Sequence, residues 1–387
     1  MKGWFRHNRA SLGKTLFLLV ILLMVGLASL GCVKGMQSVG WSGGTVSDGT
    51  LFVGSKEGRL VAVNITDESR QWSEALKASK PAGGFGCAPS AGGGCATAPA
   101  GVAIYGTPAV SGDLIYISAY NGKIYAFSSG SLATRWVYPR EGNLEPIVGG
   151  TVVSGGNVYF GCSDGKVYAL DAATGDKRWE FETGDKIWAT PAIDGDTLFI
   201  GSFDNKLYAL DAIDGSLRWE LKTGGAIVAT ALIQDNTVYI GSFDRYLYAV
   251  NTVDGSPRWK FMGENWFWAK PIAYDNTIYA GCLDGKVYAL QASSGDKVAE
   301  FNLESPVSSS PVMIDSSIIF ASQKGVIYSL DTVSRELKRL IDIEEAVYGP
   351  LCASEEIVYI HTQNLTLHRV NADTGTILAP ISLKSTE

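Results

Sequence analysis

Histidine is scarce in this sequence, with three residues in a chain of 387. His7 lies in a basic N-terminal segment, so His361 and His368 are the two that belong to the remainder of the chain. This scarcity argues against metal sites built from imidazole and against general acid–base catalysis by histidine. Carboxylate chemistry stays open, but we predict no catalytic residue and no metal-binding residue.

Charge is also limited: 18% of the residues are charged, and the formal net charge is −7. Residues 1–31 contribute four positive charges and no negative one, so the remainder carries about −11. A surface of this sign repels phosphate groups. Nucleic acids and anionic lipid headgroups are therefore not expected as partners.

Apolar stripes at the 3.6-residue helical period are absent from the repeated part of the chain. Glycine is abundant instead, with 45 residues, beside 10 tryptophans and 17 tyrosines. Frequent turns between segments rich in aromatic residues are typical of β-structure. The composition predicts an all-β protein.

The N-terminus has the organisation of an export signal. A basic segment precedes the apolar run Thr15–Leu30, and Cys32 follows Gly31. The sequence ASLGC resembles the bacterial lipoprotein box, in which the cysteine becomes the lipidated N-terminus of the mature protein. We predict a signal peptide at 1–31, lipidation of Cys32 and a short linker at 33–40. An uncleaved membrane anchor and simple secretion are the alternatives, and all three export the remainder of the chain.

The Cys32→Ala variant lacks the thiol to which a lipid would be attached. We expect it to lose the labelled palmitate that the natural protein incorporates, as measured by metabolic labelling. Undiminished labelling of the variant would refute lipidation at Cys32.

One stretch recurs along the chain at a spacing of 40 residues. KVYALDAATGDKRWEF at Lys166–Phe181 returns as KLYALDAIDGSLRWEL at Lys206–Leu221 and as YLYAVNTVDGSPRWKF at Tyr246–Phe261. Related segments begin at residues 53, 117, 160, 200, 240, 280, 320 and 360. These eight copies predict a stack of one supersecondary unit.

Each copy contains four short β-prone segments separated by turn-forming pairs such as Asp194-Gly195 and Asp214-Gly215. Residues of this kind tolerate the positive φ of tight hairpins. Four antiparallel strands in about 40 residues form one propeller blade, whereas the coils of a parallel β-helix are shorter. We predict an eight-bladed β-propeller over 41–383, with an insertion at about 77–101.

The segment ALDAATGDKRW (Ala169–Trp179) fits the A-x-D-x-x-T-G-x-x-x-W motif of the quinoprotein (PQQ-like) propeller repeat. The exported part of the chain resembles this family throughout, which implies that the motif tryptophan docks neighbouring blades. A ring of this size buries about 200 Å², so the same role is expected on physical grounds. The residues at the motif position are Trp72, Trp136, Trp179, Trp219 and Trp259. Alanine or arginine replaces the tryptophan in the last three copies.

The turns between the second and third strands share one face of the propeller with the links between blades, and there the copies differ. We name it the loop face. Large aromatic residues precede several first strands on this face, and such residues favour a contact surface. The candidates for a partner-binding rim are Tyr105, Trp188, Trp266, Trp268 and Tyr348, and the hairpin tips add Tyr120, Phe203 and Phe243. The alternative interpretation is that these rings fill the central channel or pack between blades.

The insertion between Trp72 and Tyr105 reaches the same face and contains Cys87 and Cys95. In an exported domain, two cysteines separated by a flexible glycine-rich loop favour a local disulfide. Three further cysteines align with small residues of other copies and are expected to be buried. They are Cys162, Cys282 and Cys352.

The family resemblance implies two kinds of function. Quinone-dependent dehydrogenases of this superfamily have adjacent cysteines over the cofactor, calcium-binding acids, a catalytic aspartate and long insertions between blades. This chain has no Cys-Cys pair and is much more compact. The chain resembles more closely the BamB-like propeller lipoproteins, which share its lipid-anchored start and compact blades.

We therefore predict a non-enzymatic lipoprotein scaffold without a cofactor, anchored at the periplasmic or extracellular face of a membrane. As a monomeric propeller it would bind an envelope protein or an unfolded client on its loop face, in a BamB-like role in outer-membrane protein assembly. A general ligand-binding or sensor propeller of the envelope is the alternative. A PQQ-dependent alcohol or sugar dehydrogenase is the less favoured one.

Overall fold

The computed structural model describes residues 42–76, 102–362 and 364–384. Its 32 β-strands form eight four-stranded antiparallel sheets, each built from four consecutive strands. These sheets are the blades of an eight-bladed β-propeller, which confirms the predicted fold class. Within the described ranges, no helix has the length and apolarity needed to cross a membrane. The predicted signal peptide, Cys32, the linker at 33–40, and Cys87 with Cys95 lie outside these ranges and stay predictions.

The strands of the first four blades are β1 Gly44–Ser47, β2 Thr50–Gly54, β3 Leu60–Asn64 and β4 Arg70–Trp72; β5 Ala109–Ser111, β6 Leu114–Ala119, β7 Lys123–Ser128 and β8 Thr134–Tyr138; β9 Val152–Ser154, β10 Asn157–Gly161, β11 Lys166–Asp171 and β12 Lys177–Glu182; β13 Ala192–Asp194, β14 Thr197–Gly201, β15 Lys206–Asp211 and β16 Leu217–Lys222.

The strands of the last four blades are β17 Leu232–Gln234, β18 Thr237–Gly241, β19 Tyr246–Asn251 and β20 Pro257–Met262; β21 Ile272–Tyr274, β22 Thr277–Gly281, β23 Lys286–Gln291 and β24 Lys297–Asn302; β25 Val312–Ile314, β26 Ser317–Ala321, β27 Val326–Asp331 and β28 Leu337–Asp342; β29 Cys352–Ser354, β30 Ile357–His361, β31 Thr366–Asn371 and β32 Ile377–Ser382.

The hydrophobic core lies between neighbouring blades. One cluster joins Tyr159 and Ala169 of blade 3 to Leu198 and Leu210 of blade 4. The two middle strands of a blade are therefore buried on both faces, and runs such as LYAL in β15 are continuously buried. The fourth strand of blade 4 instead alternates mainly exposed positions with a buried tryptophan. This difference explains why the repeat contains unbroken apolar segments followed by a charged one.

Trp179 of blade 3 packs on the turn between the third and fourth strands of blade 4. Its Nε1 donates a hydrogen bond to the carbonyl oxygen of Ala212 at 3.1 Å. A Cβ at Gly215 would lie 2.6 Å from the indole ring, and this glycine has a φ of +77°. Both the close approach and the positive φ favour glycine at this position.

The same contact joins three other pairs of consecutive blades. The donor–acceptor pairs are Trp136 Nε1 with the carbonyl of Ala172 at 3.0 Å, Trp219 with Thr252 at 2.9 Å, and Trp259 with Ala292 at 2.8 Å. Trp72 differs, because its buried Nε1 has no hydrogen-bond partner within the described part of the chain. The hydrogen bonds donated by these indole groups therefore link blades 2 to 6 in an unbroken series.

Blade 8 closes the ring directly against blade 1, and no strand is exchanged between them. Leu51 of blade 1 and Leu367 of blade 8 belong to one buried cluster. His361 Nδ1 lies 3.0 Å from the carbonyl oxygen of Ser42. Burial lowers the pKa of His361, so the imidazole is neutral and donates this bond from Nδ1. Ring closure therefore depends on core packing and on a buried polar contact.

The Gly215→Ala variant tests the docking contact, because it adds a methyl group 2.6 Å from the ring of Trp179. Gly195→Ala is the matched control: its φ is +53°, and no atom lies within 4 Å of the added carbon. We expect the control to lose about 1–2 kcal/mol of unfolding free energy from backbone strain. Gly215→Ala should lose about 1–3 kcal/mol more from the clash, as measured by urea unfolding. Equal losses would show that Trp179 does not constrain this position.

Candidate binding surface on the loop face

Backbone hydrogen bonds hold the links that lead into blades 2 to 7 against a turn of the next blade. The link at 183–191 leads into blade 4, where Gly184 N donates to Asp204 Oδ2 at 2.7 Å. In the same turn, Phe203 N donates to the carbonyl oxygen of Lys186 at 3.0 Å. Because the link and the turn run side by side, their side chains meet on the loop face.

Five aromatic side chains from these links and turns form one contiguous group, which we name the aromatic array. Its members are Trp188, Phe203, Phe243, Trp266 and Trp268. The ring centroids of Trp188 and Phe203 are 4.7 Å apart, and those of Phe203 and Phe243 are 6.3 Å apart. Phe243 stacks on Trp266 at 4.3 Å and on Trp268 at 5.4 Å. Three of the five predicted rim residues thus come together through two phenylalanines.

All five rings of the array are half-buried, so each keeps part of its surface open to solvent. Aromatic pairs at these separations gain about 0.5–1.5 kcal/mol beyond their burial. The rings therefore hold one another in fixed positions before any partner arrives. A preformed apolar surface of this kind binds with little loss of side-chain entropy.

Lys186 adds a positive charge at one end of the array. Its Nζ lies 5.0 Å from the ring centroid of Trp188 and 4.6 Å from that of Phe203. An ammonium over aromatic faces is stabilised by the ring quadrupoles. Lys186 is not among the residues predicted from the sequence. Its position two residues before Trp188 in an extended link is the signal that could have identified it.

Tyr105 and Tyr348 lie in the links that lead into blades 2 and 8, and both are half-buried. Tyr105 packs edge-on against Tyr120, with the ring centroids 5.4 Å apart. Burial raises the pKa of Tyr105 to about 12, so its phenol is neutral. These tyrosines belong to the loop face but to other blades than the aromatic array, and their role in a partner-binding rim stays a prediction.

Local hydrogen bonds occupy the aspartates of the turns between second and third strands. Asp204 Oδ1 accepts a bond from Lys206 N at 3.0 Å, and Oδ2 accepts one from Tyr208 Oη at 2.6 Å. Burial, together with the bond to the carboxylate, raises the pKa of Tyr208. Over the ranges that the structure covers, no group of three or more acidic, histidine or cysteine side chains could hold a metal ion. The aspartates therefore fix the turns on which the array is built.

The cysteines at the start of two of these turns are buried free thiols. Cys282 Sγ donates to the carbonyl oxygen of Asn265 at 3.3 Å, where the equivalent Ser202 Oγ donates to that of Asp185 at 3.0 Å. Burial raises the pKa of Cys282 to about 12, which keeps the thiol protonated. A protonated, buried thiol is unreactive and serves to hold the link against the turn.

The eight four-stranded blades and the indole contacts between them define the class of PQQ-like β-propellers. Residues 144–386 match the family model described as the β-propeller of β-alanine-activating enzyme, and residues 29–187 match the model described as outer membrane protein assembly factor BamB. The first match spans more than half of the sequence. The chain therefore belongs to this family of β-propellers. The match to the BamB model covers less than half of the sequence.

Two solved structures share the fold. BamB from Moraxella catarrhalis superposes with a TM-score of 0.67 at 19% sequence identity, covering 86% of this chain and 95% of that chain. The computationally designed Ika8 protein superposes with a TM-score of 0.68 at 14% identity and the same coverage. At these identities the similarity concerns the fold alone. No curated protein matches the sequence.

Proposed function

We propose that this protein is a non-enzymatic scaffold of the cell envelope that binds a protein partner through the aromatic array. The observation that carries the proposal is the array itself, in which Phe243 packs on both Trp266 and Trp268 while all three rings reach solvent. Tryptophan is enriched among the residues that dominate protein–protein binding energy, and such residues cluster. Backbone hydrogen bonds fix the links and turns that carry the array.

Family similarity supports a more specific form of the proposal. One matching family model and one solved structure of the same fold carry the name BamB, an outer membrane protein assembly factor. On this basis the partner is a component of an assembly machine for outer-membrane proteins, or an unfolded client of it. A lipid on Cys32 would keep the monomeric propeller at the membrane on its periplasmic or extracellular side.

The chain's own residues support a scaffold better than an enzyme. Cys162 and Cys282 are buried thiols, and burial raises the pKa of both. Asp204 and Asp244 each accept a hydrogen bond from a tyrosine hydroxyl and one from a backbone N–H of the preceding link. The family model named after an enzyme describes its β-propeller. A sensor or ligand-binding propeller of the envelope is the second candidate, favoured by the insertion at 77–101.

The experiment is affinity purification of the full-length protein from its native membrane, with the double variant Trp188→Ala/Trp268→Ala as comparison. Loss of two aromatic rings of the array should cost at least about 2 kcal/mol of binding free energy, so partner recovery should fall more than tenfold. The matched control is Ile213→Ala/Val253→Ala, which removes two side chains that are 73% and 78% exposed on the opposite face.

Quantitative mass spectrometry of the recovered proteins separates the outcomes. Barrel-assembly components that are lost from the Trp188/Trp268 variant support the assembly role, and other envelope proteins lost in the same way support the sensor role. Equal recovery by this variant and by the natural protein would refute the array as the binding surface. Urea unfolding of both variants verifies that the fold is intact.

A further inference from the structure

A lysine stands at the mouth of the central channel, beside the aromatic array. Lys270 lies two residues after Trp268 and two residues before the first strand of blade 6, β21. The first strands of the blades surround the channel of a propeller, so the residues that precede them line its mouth on the loop face. Along the link, Phe267 and Ala269 are buried, whereas Trp268 and Lys270 reach solvent. A ligand in solvent can therefore reach both side chains.

Hydrogen bonds connect this position to its equivalents in neighbouring blades. Lys270 N donates to Ser310 Oγ at 3.1 Å, and in blade 3 Gly150 N donates to Thr190 Oγ1 at 2.7 Å. Each of the eight blades has a position equivalent to Lys270 in the link before its first strand. Lys270 is the charged residue at these positions, and the others are glycine, proline, serine or threonine. The hydroxyl-bearing members are Thr107, Thr190, Thr230 and Ser310.

Two of these hydroxyl groups have protons to donate to a ligand. Ser310 Oγ and Thr190 Oγ1 each accept a backbone N–H, as described above. No acceptor for either O–H group occurs among the residues in the described ranges. A hydroxyl whose oxygen already accepts a bond can still donate one. The channel mouth therefore presents an ammonium and hydroxyl donors without an acidic group at the equivalent positions.

The ammonium of Lys270 forms no ion pair with a described carboxylate. Desolvation alone lowers its pKa, with no contribution from an acidic side chain. Lys270 is exposed, so its side chain is accessible to a ligand. An unpaired and partly desolvated cation gains most from an anionic ligand.

We propose that the channel mouth binds a carboxylate of the same partner whose apolar side chains rest on the aromatic array, an inference that depends on the proposed function. The occupant is an extended peptide segment in which an acidic residue is flanked by aromatic or large apolar residues. Trp268 stacks on Phe243 and precedes Lys270 by two residues, so one segment can contact the array and the ammonium together. The carboxylate accepts charge-assisted hydrogen bonds from Lys270 Nζ and a further bond from the hydroxyl group of Ser310, to which the backbone of Lys270 is bonded.

The test compares two blocked peptides that differ in one residue: an aspartate flanked by phenylalanines, and the same peptide with asparagine. Titration calorimetry with the full chain should show roughly tenfold tighter binding of the aspartate peptide. Lys270→Gln should abolish this preference, and Lys270→Arg should retain it because the guanidinium keeps the charge. Lys222→Gln is the matched control, because it removes the same charge from an exposed position on the outer strand of blade 4.

An unchanged preference in Lys270→Gln would overturn the carboxylate site, as would equal binding of the two peptides or binding of neither. If partner recovery in those cases still depends on Trp188 and Trp268, the proposed function stands and the carboxylate site fails alone. If Trp268→Ala leaves peptide binding intact while Lys270→Gln abolishes the aspartate preference, the carboxylate site stands and the role of the array fails.

Discussion

The loop face depends on a contact made at the opposite face, where an indole ring of one blade packs on a glycine of the next. Trp179 on Gly215 and Trp219 on Gly255 fix blades 3, 4 and 5 in sequence, and Trp259 on Gly295 adds blade 6. These are the blades whose links and turns carry the aromatic array. The contact sets the separation of neighbouring blades, and with it the distance between rings such as Phe203 and Phe243. Blades 6, 7 and 8 lack the motif tryptophan, and blades 7 and 8 contribute no ring to the array.

Much of the fold could be predicted because its determinants are local and recur. Turn chemistry, apolar runs and the motif glycine return every 40 residues, so blade number and strand order follow from the sequence. The motif residue alone does not predict the bond, since Trp72 keeps the indole while its Nε1 lacks a partner in the described ranges. The array was harder to predict, because Phe203 and Phe243 belong to different copies and meet only through the rotation between blades. Ring closure through His361 and Ser42 joins distant parts of the chain and had no signal in the repeat.

Two lysines lie beside aromatic residues of the loop face, although the chain as a whole is acidic. The net charge of −7 makes nucleic acid an unfavourable partner. Yet Lys186 lies over two rings of the array and Lys270 follows Trp268 at the channel mouth, without an acidic residue at the positions equivalent to Lys270. At these two positions an ammonium group lies beside aromatic area, and Asp185 and Glu264 lie in the same links. This combination favours a protein segment with apolar and acidic side chains, and it shows why a total charge does not describe a binding site.

The most direct test of the central claim is site-specific photocrosslinking in native membranes from two positions of blade 5. A benzophenone side chain in place of Phe243 lies within the array, and one in place of Val253, which is 78% exposed, lies at the opposite end of strand β19. We predict that an envelope protein is crosslinked from position 243 and not from position 253. Crosslinking from position 253 alone would contradict the account, because the partner would then bind the face that holds the blades together.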